Sequence, residues 1–303
     1  MSGKHSSSRR DEKGQEVASA VNAVTAVKRR RRRKISPFTY VALGLMTFVS
    51  AFPFYWMFVV ASNGSDEISK IPPSLKPGTH FPQMMSAVYE AVPFNRSLFN
   101  TFMVAIIIAV SQVFFSSLAG FAFAKMEFPG KKWMLIFVVG TMMLPSQLGV
   151  IPMYMMMSKL NWIDDFKALI IPALVSAFGV FWMRQVIDAQ IPNELLEAAR
   201  IDGASVFRIY RSIIVPVVRS SAFVLGLFSF LATWNDFLWP LLVMNSPEKF
   251  TVQVAINQLQ SSYVIDYALN MGGAFMATAP LLVLFIFVGK RLVAGVMDGA
   301  VKG

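Results

Sequence analysis

The sequence of 303 residues contains no cysteine and only two histidines, His5 and His80. A chain without cysteine can form no disulfide, no thiolate nucleophile and no Cys-ligated zinc site. Two histidines so far apart in the sequence also argue against a histidine-based metal centre or catalytic triad. The sequence therefore predicts no catalytic residues, no metal site and no cofactor bound by this chain.

A nucleotide-binding loop of the form G-x-x-x-x-G-K-[ST] is also missing from the whole sequence. In many ATPases the backbone amides and the lysine of that loop hold the nucleotide phosphates. If ATP drives this protein, another subunit is expected to bind and hydrolyse it.

Charged residues are scarce: they make up 15% of the sequence, whereas 55% of the residues are hydrophobic. Soluble domains carry about one quarter charged residues, so this composition is typical of an integral membrane protein. The net charge of +11 is concentrated in residues 1–36, which we predict to be a disordered basic tail because they contain little apolar surface to bury. Beside a membrane helix, the basic run at residues 28–34 indicates membrane lipid and topology rather than nucleic acid.

Six apolar segments are long enough to cross a bilayer as helices, which takes about 20 residues each. They predict an all-α membrane protein with six transmembrane helices. Residues 37–95 would hold the first helix and an external loop, and residues 96–303 would form the transmembrane domain. Pro145 and Pro152 interrupt the third segment, which predicts a distortion in its middle. The six segments are residues 38–61, 99–122, 133–157, 168–186, 221–244 and 271–289.

The distribution of basic residues predicts the orientation in the membrane. An even number of spans places both termini on the same side. Most of the 28 Lys and Arg residues lie in the tail and in the connections on that side. Because basic residues are retained in the cytoplasm, we expect both termini to be cytoplasmic, together with the long polar connection at residues 187–219.

This connection, residues 187–219, is called the polar segment below. Pro192 fits the first position of a helix, where its missing amide costs nothing. The pair Asp202-Gly203 predicts a turn after that helix, because glycine readily adopts a positive φ, and Ser205 can cap a second helix. The first helix carries two adjacent alanines that let another protein approach its backbone closely. The polar segment is therefore predicted to be a helix–turn–helix docking element.

Three short motifs follow one another in the polar segment: Glu197-Ala198-Ala199, then Gly203, then Ile-Val-Pro at residues 214–216. In order and spacing they resemble the EAA loop of bacterial ABC importer permeases. The resemblance implies the type I ABC importer permease fold, in which this loop forms a cytoplasmic coupling helix that sits in a groove of a separate ATPase subunit. The residues implied to dock on the ATPase are Glu194, Glu197, Ala198, Ala199, Arg200, Asp202 and Gly203.

Further stretches, at residues 234–237, 252–263 and 299–303, are similar to the carbohydrate-importing branch of this family, the MalG-type permeases of maltose-like systems. The resemblance covers roughly residues 96–303. It implies a permease subunit that carries a sugar or oligosaccharide across the bacterial cytoplasmic (inner) membrane. The implied partners are a second, non-identical permease, two ATPase subunits that bind ATP and Mg, and an extracytoplasmic solute-binding protein.

Polar side chains within the predicted spans are candidates for the translocation pathway. Gln112 and Gln147 are two of them, with helix packing as the alternative explanation. Asp236 would lie roughly 22 Å along the fifth span, where an acid is costly and is a functional hypothesis by default. The alternative there is an interfacial cap formed with Asn235.

The connection at residues 245–270 is predicted to be an outer loop. By the same resemblance it would face the solute-binding protein. The polar residues proposed for that contact are Gln253, Asn257, Gln258 and Gln260.

Two alternative functions remain open from the sequence. A secondary transporter or channel driven by an ion gradient would carry several ionisable residues in its spans, but Asp236 is nearly alone. Within the ABC class, a permease for polyamines, peptides or amino acids would share the polar segment and differ only in the flanking stretches.

Overall fold

A computed structural model describes residues 36–64, 70–260 and 266–300, and for the last of these ranges it describes side chains as far as residue 289. The predicted disordered tail, residues 1–36, therefore lies outside the described residues except for Ser36, and so do residues 301–303. Every regular element in the described ranges is a helix. This observation confirms the all-α prediction.

The chain divides into two compact units at residue 53, inside the first helix, α1, Pro37–Asn63. Of the smaller unit, Ser36 and the part of this helix from Pro37 to Pro53 are described. The remaining elements belong to the larger unit, residues 54–303. Before the polar segment they are α2 Phe81–Ala91, α3 Phe94–Lys125, α4 Lys131–Met142, α5 Val150–Lys159, α6 Lys167–Ala173 and α7 Ala177–Gln190. The others are α8 Asn193–Ile201, α9 Val206–Ile209, α10 Val215–Trp234, α11 Leu238–Val243, α12 Val252–Gln258 and α13 Tyr267–Ala300.

In the described part of the chain, five helical spans are long and apolar enough to cross a membrane. They are Pro37–Asn63, Phe94–Lys125, Lys167–Gln190, Val206–Trp234 and Tyr267–Gly289. A sixth consists of Lys131–Thr141 and Ser146–Lys159, two helices that meet at 94°. The distortion predicted near Pro145 is therefore a sharp bend, because proline disfavours a helical conformation at the residue before it and cannot donate an amide hydrogen bond.

Helix α3 is the centre of the larger unit and packs along both α7 and α10. Its approach to α7 is close at Gly120, where an added Cβ would lie 2.8 Å from both the Arg184 amide nitrogen and the Met183 Cβ. Any side chain at this position would push the two helices apart. The absence of a side chain at Gly120 is thus what lets α3 and α7 run in contact.

The fifth span lies earlier in the chain than residues 221–244, so that prediction is wrong at both ends. A π-helical turn, Tyr210–Ile214, joins α9 to α10, and the span begins at Val206. The wide turn accommodates Pro216, which lacks an amide and would clash with the preceding turn of a regular helix. The span ends at Trp234, so Asp236 lies in the break before α11 and not within a continuous helix.

Two connections predicted as loops contain helices. Helix α2 lies within residues 62–96, and α12 lies within residues 245–270. Val252, Val254 and Ala255 on α12 are buried in the core. The apolar residues between the glutamines of this stretch therefore form the buried face of a helix. The overall polarity of the stretch had led to the prediction of a loop.

Candidate functional site

The polar segment folds as predicted, with two helices joined by a tight turn. Helix α8 begins one residue after Pro192, and Gly203 has the positive φ of +76° that the turn requires. The hydroxyl of Ser205 accepts a hydrogen bond of 3.3 Å from the amide of Arg208 and so caps the second helix. Local sequence signals were sufficient here because each of these contacts joins residues at most three positions apart.

Leu196 fixes α8 to the rest of the protein. Its side chain is 3% exposed and packs in a cluster of buried residues contributed by the ends of α7, α9 and the π-helical turn, including Ile187, Ile209 and Ile214. Burial of one leucine side chain contributes about 1.5–3 kcal/mol. Helix α8 is thus anchored to the rest of the protein by apolar contacts on its buried side.

The opposite face of α8 is open to solvent. Of the seven residues predicted to dock on an ATPase, six are exposed, and Ala199 is half-buried against the Leu196 cluster. Two large apolar side chains of α8, Leu195 and Ile201, are also exposed, with Ile201 at 86%, and Phe207 is exposed on α9. Sequence reasoning missed them because apolar residues on a short amphipathic helix are normally assigned to the buried face.

Lys125 makes a second connection to α8. From the sequence, this lysine served only as one of the basic residues that predict the orientation in the membrane. Its side chain is 5% exposed, and its Nζ donates to the Asn193 Oδ1 at 2.9 Å and lies 3.5 Å from the Asp188 Oδ1. One ammonium group therefore joins the end of α3, the end of α7 and the start of α8. Arg184 lies 3.9 Å from the other oxygen of Asp188.

The four candidate pathway residues do not all come together. Gln112 is half-buried between helices: its Nε2 donates to the Ala173 carbonyl oxygen at 2.8 Å, and its Oε1 accepts from the Ser229 hydroxyl at 2.6 Å. These contacts fit the packing alternative, and a pathway role for Gln112 stays a prediction. Asn235 is exposed and donates to the Leu231 carbonyl oxygen at 2.8 Å.

Gln147 and Asp236, in contrast, line one cavity of about 360 Å³, between the bent third span, α3, α6 and α11. This volume is within the range of small-molecule sites. The cavity lies toward the end of the spans opposite α8, because Thr101 on its wall is 24 residues, or about 36 Å, from Lys125 along α3. We call it the solute cavity. Its polar lining includes Ser146, Gln147, Thr233, Asp236, Trp239 and Thr251.

At the same end of the spans, Asp164 joins the connection between α5 and α6 to the chain after α11. Its carboxylate accepts hydrogen bonds from the amides of Asn245 and Ser246, at 3.0 and 2.9 Å, from the Ser246 hydroxyl, and from the Lys249 ammonium at 3.2 Å. Burial alone would raise the pKa of Asp164, but these hydrogen bonds outweigh it and hold the pKa well below its usual range. We call this arrangement the Asp164 clamp.

The predicted binding-protein contacts are divided between two environments. Gln253 and Asn257 are half-buried on α12, and the Gln253 Nε2 donates to the Trp234 carbonyl oxygen at 3.3 Å. Gln258 and Gln260 are exposed. The first pair is therefore turned toward the protein itself, and the second pair is open to solvent.

The fold is that of an ABC importer permease. It matches a chain in the crystal structure of a bacterial ABC transporter involved in the import of the acidic polysaccharide alginate, with a TM-score of 0.73. The match covers 84% of this chain and 94% of the other, at 19% sequence identity. This likeness confirms the predicted type I fold.

The family model described as "Binding-protein-dependent transport system inner membrane component" matches residues 112–296, and the chain belongs to this family. It is a transport permease subunit and not an enzyme. This membership confirms the ABC permease interpretation over the ion-gradient-driven alternative.

Three relatives match over most of their length. The sn-glycerol-3-phosphate transport system permease protein UgpE of Agrobacterium fabrum is 33% identical, over 86% of this chain and 95% of its own. The lactose transport system permease protein LacG of Rhizobium radiobacter is 30% identical, over 90% and 98%. The arabinooligosaccharides transport system permease protein AraQ of Halalkalibacterium halodurans is 29% identical, over 90% and 100%.

Proposed function

We propose that this chain is a permease subunit of an ATP-driven importer that moves a sugar or oligosaccharide across the bacterial cytoplasmic membrane. The observation that carries the proposal is the exposed surface of α8, a helix that Leu196 anchors to the rest of the protein. The names of the relatives, which include arabinooligosaccharide and lactose permeases, support the substrate class. The importer would contain a second, non-identical permease, two ATPase subunits and an extracytoplasmic solute-binding protein.

The exposed face of α8 has the composition of a docking surface. Charged side chains at Glu194, Glu197 and Arg200 are exposed on this helix, and so is the large apolar side chain of Ile201 at its end. Apolar side chains exposed within a charged rim are typical of protein–protein contact sites. Because the chain lacks a nucleotide-binding loop, the partner proposed for this surface is the ATPase that supplies the energy, with ATP and Mg bound on that partner.

The contacts beneath α8 would transmit the movement of that ATPase. Leu196 joins α8 to the buried cluster, and Lys125 joins it to the ends of α3 and α7. A displacement of α8 would therefore move the ends of three spans together. Rigid-body motion of this kind is one of the established ways to switch a membrane bundle between two states.

The charge distribution supports the orientation of this machinery. With basic residues retained inside, α8 and both termini would be cytoplasmic, and residues 28–34 would contact anionic lipid. The Asp164 clamp, the solute cavity and the exposed Gln258 and Gln260 would then lie toward the outer side, where a solute-binding protein could reach them.

The bent third span supports a second permease as the neighbour within the membrane. Large apolar side chains stay exposed along α4 and around the bend, including Trp133, Phe137 and Met143, the last at 82%. An exposed apolar surface inside a bilayer can face lipid. Backbone groups near a right-angled bend between two short helices instead favour contact with protein, because lipid tails offer them no hydrogen bonds.

A crosslinking experiment tests the docking proposal. Because the native chain has no cysteine, Ala198→Cys provides a single reactive thiol on α8, and Gln258→Cys provides a matched control at the opposite end. Bifunctional thiol–amine crosslinking in membranes is expected to join Ala198→Cys, but not Gln258→Cys, to a nucleotide-hydrolysing subunit. Equal crosslinking of both variants to that subunit, or of neither, would refute docking at α8.

A further inference from the structure

The solute cavity has a polar group that the protein itself leaves without a partner. Thr251 lines the cavity, its residue surface is 3% exposed, and its Oγ1 makes no hydrogen bond among the described residues. A buried hydroxyl without a partner costs about 1–3 kcal/mol. By contrast, Thr101 on the same wall accepts from the Val252 amide at 2.8 Å and donates to the Ser97 carbonyl oxygen. The contacts within the protein therefore leave this hydroxyl unsatisfied beside the cavity.

Other groups on the wall are also available to a ligand. The only hydrogen bond described for the side-chain amide of Gln147 is a long one of 3.5 Å with the neighbouring Ser146. The Trp239 Nε1 already donates to the Ala168 carbonyl oxygen at 2.9 Å, which fixes the indole and leaves its ring as the surface offered to the cavity. The wall thus combines a fixed aromatic ring, an amide with only one long hydrogen bond, and a hydroxyl without a partner among the described residues.

The lining of the solute cavity carries charge of only one sign, negative. Among the residues that the structure describes, Asp236 is the one ionisable residue of the lining, and no lysine or arginine contributes to it. A phosphate or carboxylate group entering the cavity would lose water, meet no cation and lie in the field of a carboxylate, so its entry would be disfavoured. A hydroxyl group would instead donate a hydrogen bond to Asp236, which accepts about twice as strongly as a neutral oxygen.

We propose that the solute cavity is a binding subsite of this subunit for an uncharged, polyhydroxylated solute, such as one ring of a neutral sugar, and that it rejects phosphorylated and carboxylated solutes. The hydroxyl groups of the solute pair with Asp236, Gln147 and Thr251, and its apolar face packs on Trp239. This inference rests on the proposed sugar import and adds a selection by charge. It separates this chain from relatives and neighbours that are named for sn-glycerol-3-phosphate or for an acidic polysaccharide.

A thiol placed in the cavity measures its charge directly. In membranes of cells that make the complete transporter, Gln147→Cys is labelled with a cationic and with an anionic methanethiosulfonate reagent of similar size. Thr141→Cys, exposed on α4 and outside the lining, is the control. Relative to the control, the cationic reagent is expected to react roughly threefold to tenfold faster than the anionic one at Gln147→Cys, a ratio of the size that one nearby charge produces. Adding Asp236→Asn should remove this preference.

Protection from labelling then identifies the ligand class. Lactose and an arabinooligosaccharide are expected to slow labelling of Gln147→Cys, whereas sn-glycerol-3-phosphate and spermidine are not. Adding Thr251→Val, which removes the unpartnered hydroxyl with little change in shape, should weaken the protection roughly tenfold. The matched variant Thr278→Val, which removes a hydroxyl on α13 that donates to the Ala274 carbonyl oxygen, should leave it unchanged.

Protection by sn-glycerol-3-phosphate or spermidine in preference to the neutral sugars would overturn the proposal, and so would the absence of protection by any neutral sugar. Equal effects of Thr251→Val and Thr278→Val would also overturn it. None of these measurements requires ATP hydrolysis. A failure of ATP-coupled import with intact sugar protection would therefore refute the proposed function and leave the subsite standing.

Discussion

The two ends of the larger unit use their polar side chains in opposite ways. At the α8 end, Glu194, Glu197 and Arg200 point to solvent, while an apolar anchor and one lysine hold the helix from beneath. At the cavity end, Asp164 and Asn100 direct their polar groups to the chain itself: the Asn100 Nδ2, for example, donates to the carbonyl oxygens of both Glu248 and Phe250. One end thus leaves its polar surface open to solvent, and the other end uses its polar groups to hold its own connections.

This difference predicts where substitutions affect folding and where they affect only partners. The largest effect on stability is expected for Leu196→Ala, because the change empties a buried site beneath α8. A loss of about 2–4 kcal/mol is expected, with loss of transport although the protein still inserts. Thermal unfolding in detergent and uptake in cells measure the two effects. Leu195→Ala is the matched control, since Leu195 is exposed on the same helix, and equal destabilisation by both variants would show that Leu196 is not the anchor.

The next largest effect is expected for Asp164→Asn at the cavity end. The amide keeps the shape but loses the charge-assisted hydrogen bonds to Ser246 and Lys249, which is expected to cost about 1.5–3 kcal/mol. Asp165→Asn is the control, because Asp165 pairs with the largely exposed Lys167 and should change stability far less.

The pH dependence gives a second test of the Asp164 clamp. Because folding lowers the pKa of Asp164, its ionised form contributes stability above the pKa of the unfolded chain, about 4, and this contribution is lost as the pH falls toward the lower pKa of the folded state. The difference in stability between wild type and Asp164→Asn should therefore be constant from about pH 5 to 8 and shrink below about pH 4. A difference that grew toward acid pH would contradict the clamp.

A smaller effect on stability, about 1 kcal/mol, is expected for Lys125→Met, because its partner Asp188 is half-exposed and screened by solvent. The informative readout is the ratio of ATP hydrolysed to solute transported, which should rise as α8 loses its connection to α3. Lys125→Arg should restore part of the coupling. Lys131→Met removes a similar lysine from an ion pair with the exposed Glu127 and should leave the ratio unchanged.

The smallest effect on stability is expected for Ile201→Ser, within about 0.5 kcal/mol, because the side chain is already exposed. If α8 docks on an ATPase, the same variant should nevertheless weaken binding of that subunit and reduce uptake. Co-purification of the ATPase measures this directly. If Ile201→Ser destabilised the chain but the ATPase still co-purified with it, the proposed distinction between the two ends would be wrong.

Patterns over a few residues predicted much of this architecture. The turn at Gly203, the cap at Ser205 and the distortion near Pro145 are decided by neighbours in the sequence, and the structure has all three. The predicted end of the fifth span was wrong because hydrophobicity continues past Trp234, while the break at Asn235 and Asp236 depends on where the chain turns into α11.

The amino-acid sequence by itself determined the membrane class, the approximate spans and the form of the polar segment, since apolar length, proline and glycine act locally. Only the tertiary structure decided which polar groups are satisfied by the protein and which are free. It placed Gln112 between helices and Gln147 on a cavity wall, joined Lys125 to Asn193, and left the Thr251 hydroxyl without a partner in the part of the chain that the structure describes. These outcomes depend on contacts between residues far apart in the chain, and the surroundings of a side chain follow from how the helices pack.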